Sequence, residues 1–246
     1  MKFGLIGYPL SHSFSQNYFT ERFKRLGLVD FSYALLPIQS EAGFPSVLHD
    51  DYFGLNVTIP HKSAILNYLN EIDPAALQIG AVNTIVRTGI YSWKGYNTDV
   101  LGFTESLLEW YGDERLPENA LVLGSGGSSK TVCYALQRLG INTSVVSRSG
   151  AGHLVYDDLT KDIMNQHRLI INTTPLGMMP NESACPSIPY EYVTPEHRVF
   201  DLIYNPLNTL FLSQSENLGA KVKNGLDMLY KQADQAWLIW KQHGKF

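Results

Sequence analysis

Short polar clusters stand where apolar segments of this chain begin or end: Ser11-His12-Ser13, Asn56-Val57-Thr58, Lys62, Asn83-Thr84 and Asn97-Thr98-Asp99. Hydroxyls and amides of this kind can hold the oxygens of a small polyhydroxylated acid, and paired acid and base groups can move one proton. Each residue also has a plainer use. Lys62 fits the exposed first turn of a helix, Asp99 fits a helix cap, and Ser11 and Ser13 fit turn or cap positions. Asn56 and Asn83 fit buried amides that satisfy backbone groups.

A second set of residues could bind a phosphate. In ALVLGSGGSSK, Gly124, Gly126 and Gly127 join a short apolar strand to a helix. Glycine there lets backbone N–H groups approach a pyrophosphate, and the helix directs its positive end at the same charge. The spacing is GxGGxx, with Ser129 where a third glycine might stand. A tight strand-to-helix turn without ligand is the competing reading. The next strand ends in Ser147, Arg148 and Ser149, where NAD sites usually carry an acid for the ribose hydroxyls. Arginine and hydroxyls favour a 2′-phosphate, hence NADP over NAD.

These residues need elements to position them. Residues 2–7, 31–38 and 52–60 read as strands, and Phe14, Tyr18, Phe19, Phe23 and Leu26 recur at helical spacing. The segment after Lys62 reads as helical. Residues 81–87 and 91–97 alternate like a hairpin around Thr88-Gly89. In the strand 52–60, Asn56 and Thr58 fall on one face, Pro60 ends the strand, and Lys62 can turn back over that face. Residues 99–112 form an amphipathic helix. Strands at 120–123, 143–148, 168–178, 197–204 and 220–225 then alternate with helical segments, and a last helix closes the chain. The first part reads as mixed α/β and the second as a doubly wound parallel sheet.

Composition narrows the function classes. The chain has 246 residues, 44% hydrophobic, with a net charge of -4. Without a long basic run, nucleic acid is not an expected partner. No stretch reaches the ~18 apolar residues of a membrane span, and the N-terminal apolar run is too short for a signal peptide. Cys133 and Cys185 read as reduced thiols of a cytoplasmic protein. The histidines form no HExxH pair or Cys/His cluster, so no metal is expected.

SHSFSQ, NVTIPHK, GAVNT, GYNTD, GSGGSS, INTTPLGM and MLYKQA occur in the order found in shikimate dehydrogenases, and the chain resembles that family over nearly its whole length. The resemblance implies a Rossmann-like cofactor domain and reversible NADPH-dependent reduction of 3-dehydroshikimate to shikimate, on the route to aromatic compounds. It implies Lys62 and Asp99 as the catalytic pair. Ser11 and Ser13 would hold the carboxylate, and Asn56, Thr58, Asn83 and Gln232 the ring hydroxyls, with Tyr204 near the substrate. Gly124, Ser125, Gly126, Gly127, Ser128, Ser147, Arg148 and Ser149 would meet the cofactor. Leu202, where the family often has methionine, and Gly225 would lie near the nicotinamide. His12 and His61 receive no role.

The implied domains are 1–98 plus 225–246 for the substrate and 99–224 for the cofactor, with a cleft between them. The chain is short for the family, and SGAGHLVYDDLTKDIMNQHR predicts a trimmed cofactor domain with one crossover shortened. Arg148 would then lack a second cationic partner, weakening the NADP preference. The rival readings are a quinate/shikimate dehydrogenase with NAD or dual cofactor use, and a non-catalytic dinucleotide-binding regulatory module. A folate-linked dehydrogenase would not explain Ser11 and Ser13 beside NVTIPHK. Monomer and homodimer both stay open.

Overall fold

The computed structural model describes residues 1–10, 13–150, 154–244 and 246. It divides into two compact units, Met1–Thr98 with Ala233–Phe246, and Asp99–Gln232. Residues 225–232 therefore pack with the second unit, not with the first as the sequence suggested. The reason is a close helix crossing: a Cβ on Gly102 would lie 2.7 Å from the Met228 carbonyl oxygen and 3.0 Å from the Gln232 nitrogen.

The first unit contains β1 (Lys2–Gly7), α1 (Phe14–Arg25), β2 (Ser32–Pro37), α2 (Phe44–His49) and β3 (Tyr52–Val57). It continues with β4 (Glu71–Ile72), α3 (Pro74–Ile79), β5 (Thr84–Gly89) and β6 (Ser92–Tyr96). Its sheet has the order β2-β1-β3-β5-β6-β4. β1 lies parallel to both β2 and β3, while β5 is antiparallel to β3 and β6. Strand alternation divides the core between the two faces of the sheet. Phe3 and Leu5 join an aromatic cluster with Phe19, Phe23, Trp237 and Trp240. Ile6 joins the cluster of Phe44, Leu55, Ile65 and Trp93.

The predicted helix after Lys62 is only a 3₁₀ turn, Ala64–Tyr68, and α2 and α3 were not foreseen. Pro74 and Gly80 delimit α3, with the Asp73 carboxylate accepting from the Ala75 N–H at 3.0 Å. Six residues are too few for apolar periodicity to stand out.

The second unit contains α4 (Asp99–Tyr111), β7 (Asn119–Leu123), α5 (Gly127–Arg138), β8 (Asn142–Val146) and α6 (Lys161–Gln166). β9 (Leu169–Asn172), β10 (Arg198–Asp201), α7 (Leu210–Asn217) and β11 (Lys221–Lys223) follow. α8 (Leu226–Gly244) then begins in this unit and ends in the other. The sheet is wholly parallel, ordered β11-β10-β9-β7-β8. Its inner strands are apolar on both faces, as a sheet covered on both sides requires. Ala120, Val122, Leu169 and Ile171 face one cluster, and Leu121, Leu123 and Ile170 the other.

This is a doubly wound order of the 2-1-3-4-5 type. β8 is the edge strand, and beyond it a single bridge joins Val146 to Leu154.

Candidate active site

β1 and β3 run parallel, so their C-terminal ends lie side by side. The Thr58 N–H donates to the Ile6 carbonyl at 2.8 Å and the Tyr8 N–H to the Ile59 carbonyl at 3.0 Å. The chain leaving β1 is thereby held against the turn that carries Thr58 and Lys62. That turn is tied to the start of β5. The Val82 N–H donates to the Lys62 carbonyl, and the Val57 N–H to the Asn83 carbonyl, both at 2.8 Å. Asn56, Thr58, Lys62 and Asn83 are thus brought to one end of one sheet. Thr58 and Lys62 are half-buried; Asn56 and Asn83 are buried.

His61, between them, is a core residue. Its ring nitrogen lies 2.5 Å from the Ile38 carbonyl, and Phe44 packs edge-on to it. Ser13 occupies the cap position of α1, but its hydroxyl makes no capping bond. Ser11 lies outside the described residues.

The two buried amides are held by a chain of hydroxyls. Tyr33 donates to Asn56 Oδ1 at 2.7 Å, and Asn56 Nδ2 donates to Thr84 Oγ1 at 3.1 Å. Thr84 and Thr98 hydroxyls are 3.3 Å apart. Asn83 Oδ1 accepts from the Thr98 N–H at 2.7 Å and the Thr98 hydroxyl at 3.2 Å, while its Nδ2 donates to Thr98 Oγ1 at 3.0 Å. Nothing in FSYALLPI marks the Tyr33 hydroxyl as engaged. Strand spacing did place Asn56 and Thr84 at polar ends.

In the second unit, the glycine turn follows β7 where the strand order reverses, between β8 and β9, the usual ligand crevice of a doubly wound sheet. Gly124 has φ +105, and a Cβ there would lie 2.9 Å from Thr173 Oγ1. The turn itself therefore requires Gly124. Gly126 and Gly127 differ, since a Cβ on either meets nothing within 4 Å. Neither packing nor a positive φ calls for glycine at those two places. Both leave the backbone open to close approach, and the N-terminus of α5 offers its amides there. Ser125 lies on the same turn, Ser128 is in the first turn of α5, and Ser129 after it is buried.

At the end of β8, Ser147 Oγ is buried with no hydrogen-bond partner among the described residues, while Arg148 and Ser149 are exposed. An unpaired hydroxyl beside an exposed guanidinium suits a phosphorylated ribose.

The ends of β9 and β10 are joined by a buried carboxylate. Asp201 accepts from Asn172 Nδ2 at 3.0 Å, the Ile203 N–H at 3.0 Å and the Thr209 hydroxyl at 2.7 Å. Burial pushes its pKa up to about 6 against the pull of these three donors. Asn172 Oδ1 in turn accepts from the Thr174 N–H, and Thr173 donates from its hydroxyl to the Leu123 carbonyl, just before the glycine turn. The only sequence signal for Asp201 is an acid directly after an apolar strand.

Leu202 and Gly225 are in direct backbone contact, and the Gly225 N–H donates to the Ile203 carbonyl at 3.0 Å. Tyr204 is part-exposed in the following loop. Gln232 is nearly buried, with Nε2 donating to the Leu229 carbonyl at 2.9 Å. Asp99 is the first residue of α4, where a carboxylate meets the positive end of the helix. It belongs to the second unit and Lys62 to the first. Among the described residues no group of three or more His, Cys, Asp or Glu could hold a metal ion. Nor, among them, is any helix long and apolar enough to cross a membrane.

A mixed sheet with amides, hydroxyls and a lysine at its strand ends, joined in one chain to a Rossmann-like parallel sheet, defines an α/β protein of the dehydrogenase type. Residues 5–85 match the model of the shikimate dehydrogenase substrate binding domain. The shikimate dehydrogenase (NADP(+)) of Caldanaerobacter subterraneus is 37% identical over 97% of this chain and 90% of its own length. A solved shikimate 5-dehydrogenase from Thermus thermophilus, in complex with NADP(H) and shikimate, is 32% identical with a TM-score of 0.85, covering 98% and 94% of the two chains. Shikimate dehydrogenase from Aquifex aeolicus superposes with a TM-score of 0.88 at 29% identity, covering 98% of this chain and 92% of that one. The chain belongs to the shikimate dehydrogenase family.

Proposed function

We propose that this protein is an NADP-dependent shikimate dehydrogenase, reversibly reducing 3-dehydroshikimate to shikimate. The supporting observation is the gathering of Asn56, Thr58, Lys62 and Asn83 at one sheet end in a chain of this family. The Met1–Thr98 unit with the end of α8 takes the substrate, and the 99–232 unit takes NADP.

When bound, the nicotinamide cofactor would supply the hydride for reduction as NADPH and take it up in oxidation as NADP. The chain's own residues bind, orient and move the proton. Ser11 and Ser13 hold the carboxylate. Thr58, Asn83, Tyr204 and Gln232 hold ring oxygens, with Asn56 contributing from within the sheet. During reduction the carbonyl oxygen gains negative charge; an ammonium on Lys62 stabilises that charge and can deliver the proton. Asp99 is its partner in the catalytic pair that membership of the family suggests.

The residues of the second unit fit NADP. Gly124, Ser125, Gly126, Gly127 and Ser128 accept the pyrophosphate, with Gly126 and Gly127 open to close approach. Ser147, Arg148 and Ser149 take the phosphorylated ribose, and Leu202 and Gly225 border the nicotinamide. One observation favours a second reading, dual NAD/NADP use. β8 is an edge strand, and the next lysine or arginine after Arg148 is Lys161. A cytoplasmic location and a monomeric or homodimeric state complete the proposal.

The test is initial-rate reduction of NADP and NAD with shikimate and with quinate, wild type beside Lys62→Ala. Turnover of shikimate with NADP is expected, falling at least ~10²-fold in the variant, the usual contribution of a general acid–base group. Cofactor binding without turnover of either acid would instead favour the regulatory module.

A further inference from the structure

We propose that Tyr33 is a positioning residue for substrate binding, acting through a one-way chain of hydrogen bonds that fixes which face the Asn83 amide offers to the substrate. The inference rests on the function proposed above and concerns the same site.

Tyr33 is buried on β2, stacked on Phe19 with ring centroids 4.9 Å apart. β1 lies between β2 and β3, so the Tyr33 phenol reaches across a whole strand to Asn56 on β3. Through Phe19, Tyr33 thus joins α1 to the polar end of the sheet. Burial holds the phenol protonated, with its pKa raised.

The direction of each bond follows from donor and acceptor chemistry. The phenol must donate to Asn56, because Oδ1 can only accept. Asn56 Nδ2 must then donate to Thr84 Oγ1, with its other hydrogen directed at the Asn83 carbonyl, 3.4 Å away. Thr84 accepts from Asn56, and because the Thr98 hydroxyl hydrogen goes to Asn83 Oδ1, Thr84 is the donor to Thr98, 3.3 Å away. Thr98 donates to Asn83 Oδ1, which also takes the Thr98 N–H. Asn83 Oδ1 is committed inward on both lone pairs, and one Nδ2 hydrogen goes to Thr98 Oγ1. What Asn83 has left is one N–H. It meets the substrate as a donor to an oxygen lone pair.

Asn56 is fixed in the complementary sense. Both of its N–H bonds are spent, so it can only accept. Removing the Tyr33 hydroxyl leaves Asn56 Oδ1 without its buried donor. The Asn56 amide can then turn over and take the Thr84 hydrogen, which withdraws it from Thr98 and loosens the hold on Asn83.

The experiment is steady-state kinetics of Tyr33→Phe with shikimate varied at saturating NADP, beside wild type, with thermal unfolding of both. The expected result is a rise in KM for shikimate of about tenfold, the scale of one unmet buried hydrogen bond, with a smaller change in kcat and none in KM for NADP. Thr84→Val should move KM in the same direction. Thr84→Ser, which retains the hydroxyl, should recover most of the affinity. In the double variant Tyr33→Phe/Thr84→Val, the rise in KM should be less than the product of the two single rises, as for links of one chain.

A lower melting temperature with unchanged KM in Tyr33→Phe would reduce Tyr33 to packing and overturn the proposal alone. If Tyr33→Phe does not fold, Thr84→Val against Thr84→Ser decides the point, and equal KM values for that pair overturn it. A wild type with no turnover of shikimate overturns the proposed function and this inference together.

Discussion

Gly225 lies so close to Leu202 that a β-carbon on the glycine would overlap the Leu202 carbonyl. The contact sets the turn into α8, and its partner is main chain, which a change of rotamer cannot relieve. Gly225→Ala is therefore expected to cost about 1–3 kcal/mol, the usual range for overpacking. Leu202→Met, which conserves volume, should cost less than about 1.5 kcal/mol. Urea unfolding of both variants measures the difference, and equal midpoints would show that the turn gives way easily.

The glycine turn separates structural from ligand-related glycines. Gly124→Ala forces a side chain onto φ +105 and against Thr173, so a loss of about 1–3 kcal/mol is expected. Gly127→Ala introduces a methyl into open space on a helical residue and should be neutral or stabilising by up to about 1 kcal/mol. Its effect should appear in NADP affinity, measured by cofactor titration. Unaltered affinity in Gly127→Ala would remove the phosphate from that position.

Ser13 offers a similar separation. Replacing an N-cap serine by alanine usually costs ~1 kcal/mol, but the Ser13 hydroxyl makes no capping bond. Ser13→Ala should leave the unfolding midpoint almost unchanged while raising KM for shikimate. Thr209→Ala should behave in the opposite way, since that hydroxyl caps α7 and donates to buried Asp201. A Ser13→Ala variant that loses stability but keeps its KM would return the serine to a structural role.

Asp201 predicts a pH dependence of stability. Its folded pKa, about 6, lies above the ordinary value of 3.8. The native state therefore holds the proton more tightly than the unfolded chain. This contribution to stability is fully present below about pH 4 and is lost as pH rises through about 6. Two pKa units correspond to about 3 kcal/mol. Relative to Asp201→Asn, which cannot ionise, wild type should lose about that much stability between pH 4 and pH 7. Urea midpoints at each pH give the difference. A wild-type advantage that grows with rising pH would mean that the donors to the carboxylate outweigh its burial.

Much of the architecture was legible in the chain, because its signals are local. The short apolar runs in KFGLIG and ALVL mark strands, and the glycines after Leu123 mark a strand-to-helix turn. The motif order is specific enough to indicate the family. Site residues in those motifs could be named from the resemblance to that family.

Other features depend on residues far apart in sequence. Tyr33 reads as an ordinary strand tyrosine until β1 is placed between β2 and β3, when its hydroxyl meets Asn56. Gly225 reads as a loop glycine until the Leu202 carbonyl occupies the space of its Cβ. Residues 225–232 pair with α4 because Gly102 lets two helices approach closely, a relation between positions more than a hundred residues apart. Sequence determines the local propensities and the side-chain chemistry. The tertiary structure decided which hydroxyls become partners and which glycines are obligatory, because burial and close approach arise only when distant segments share the same space.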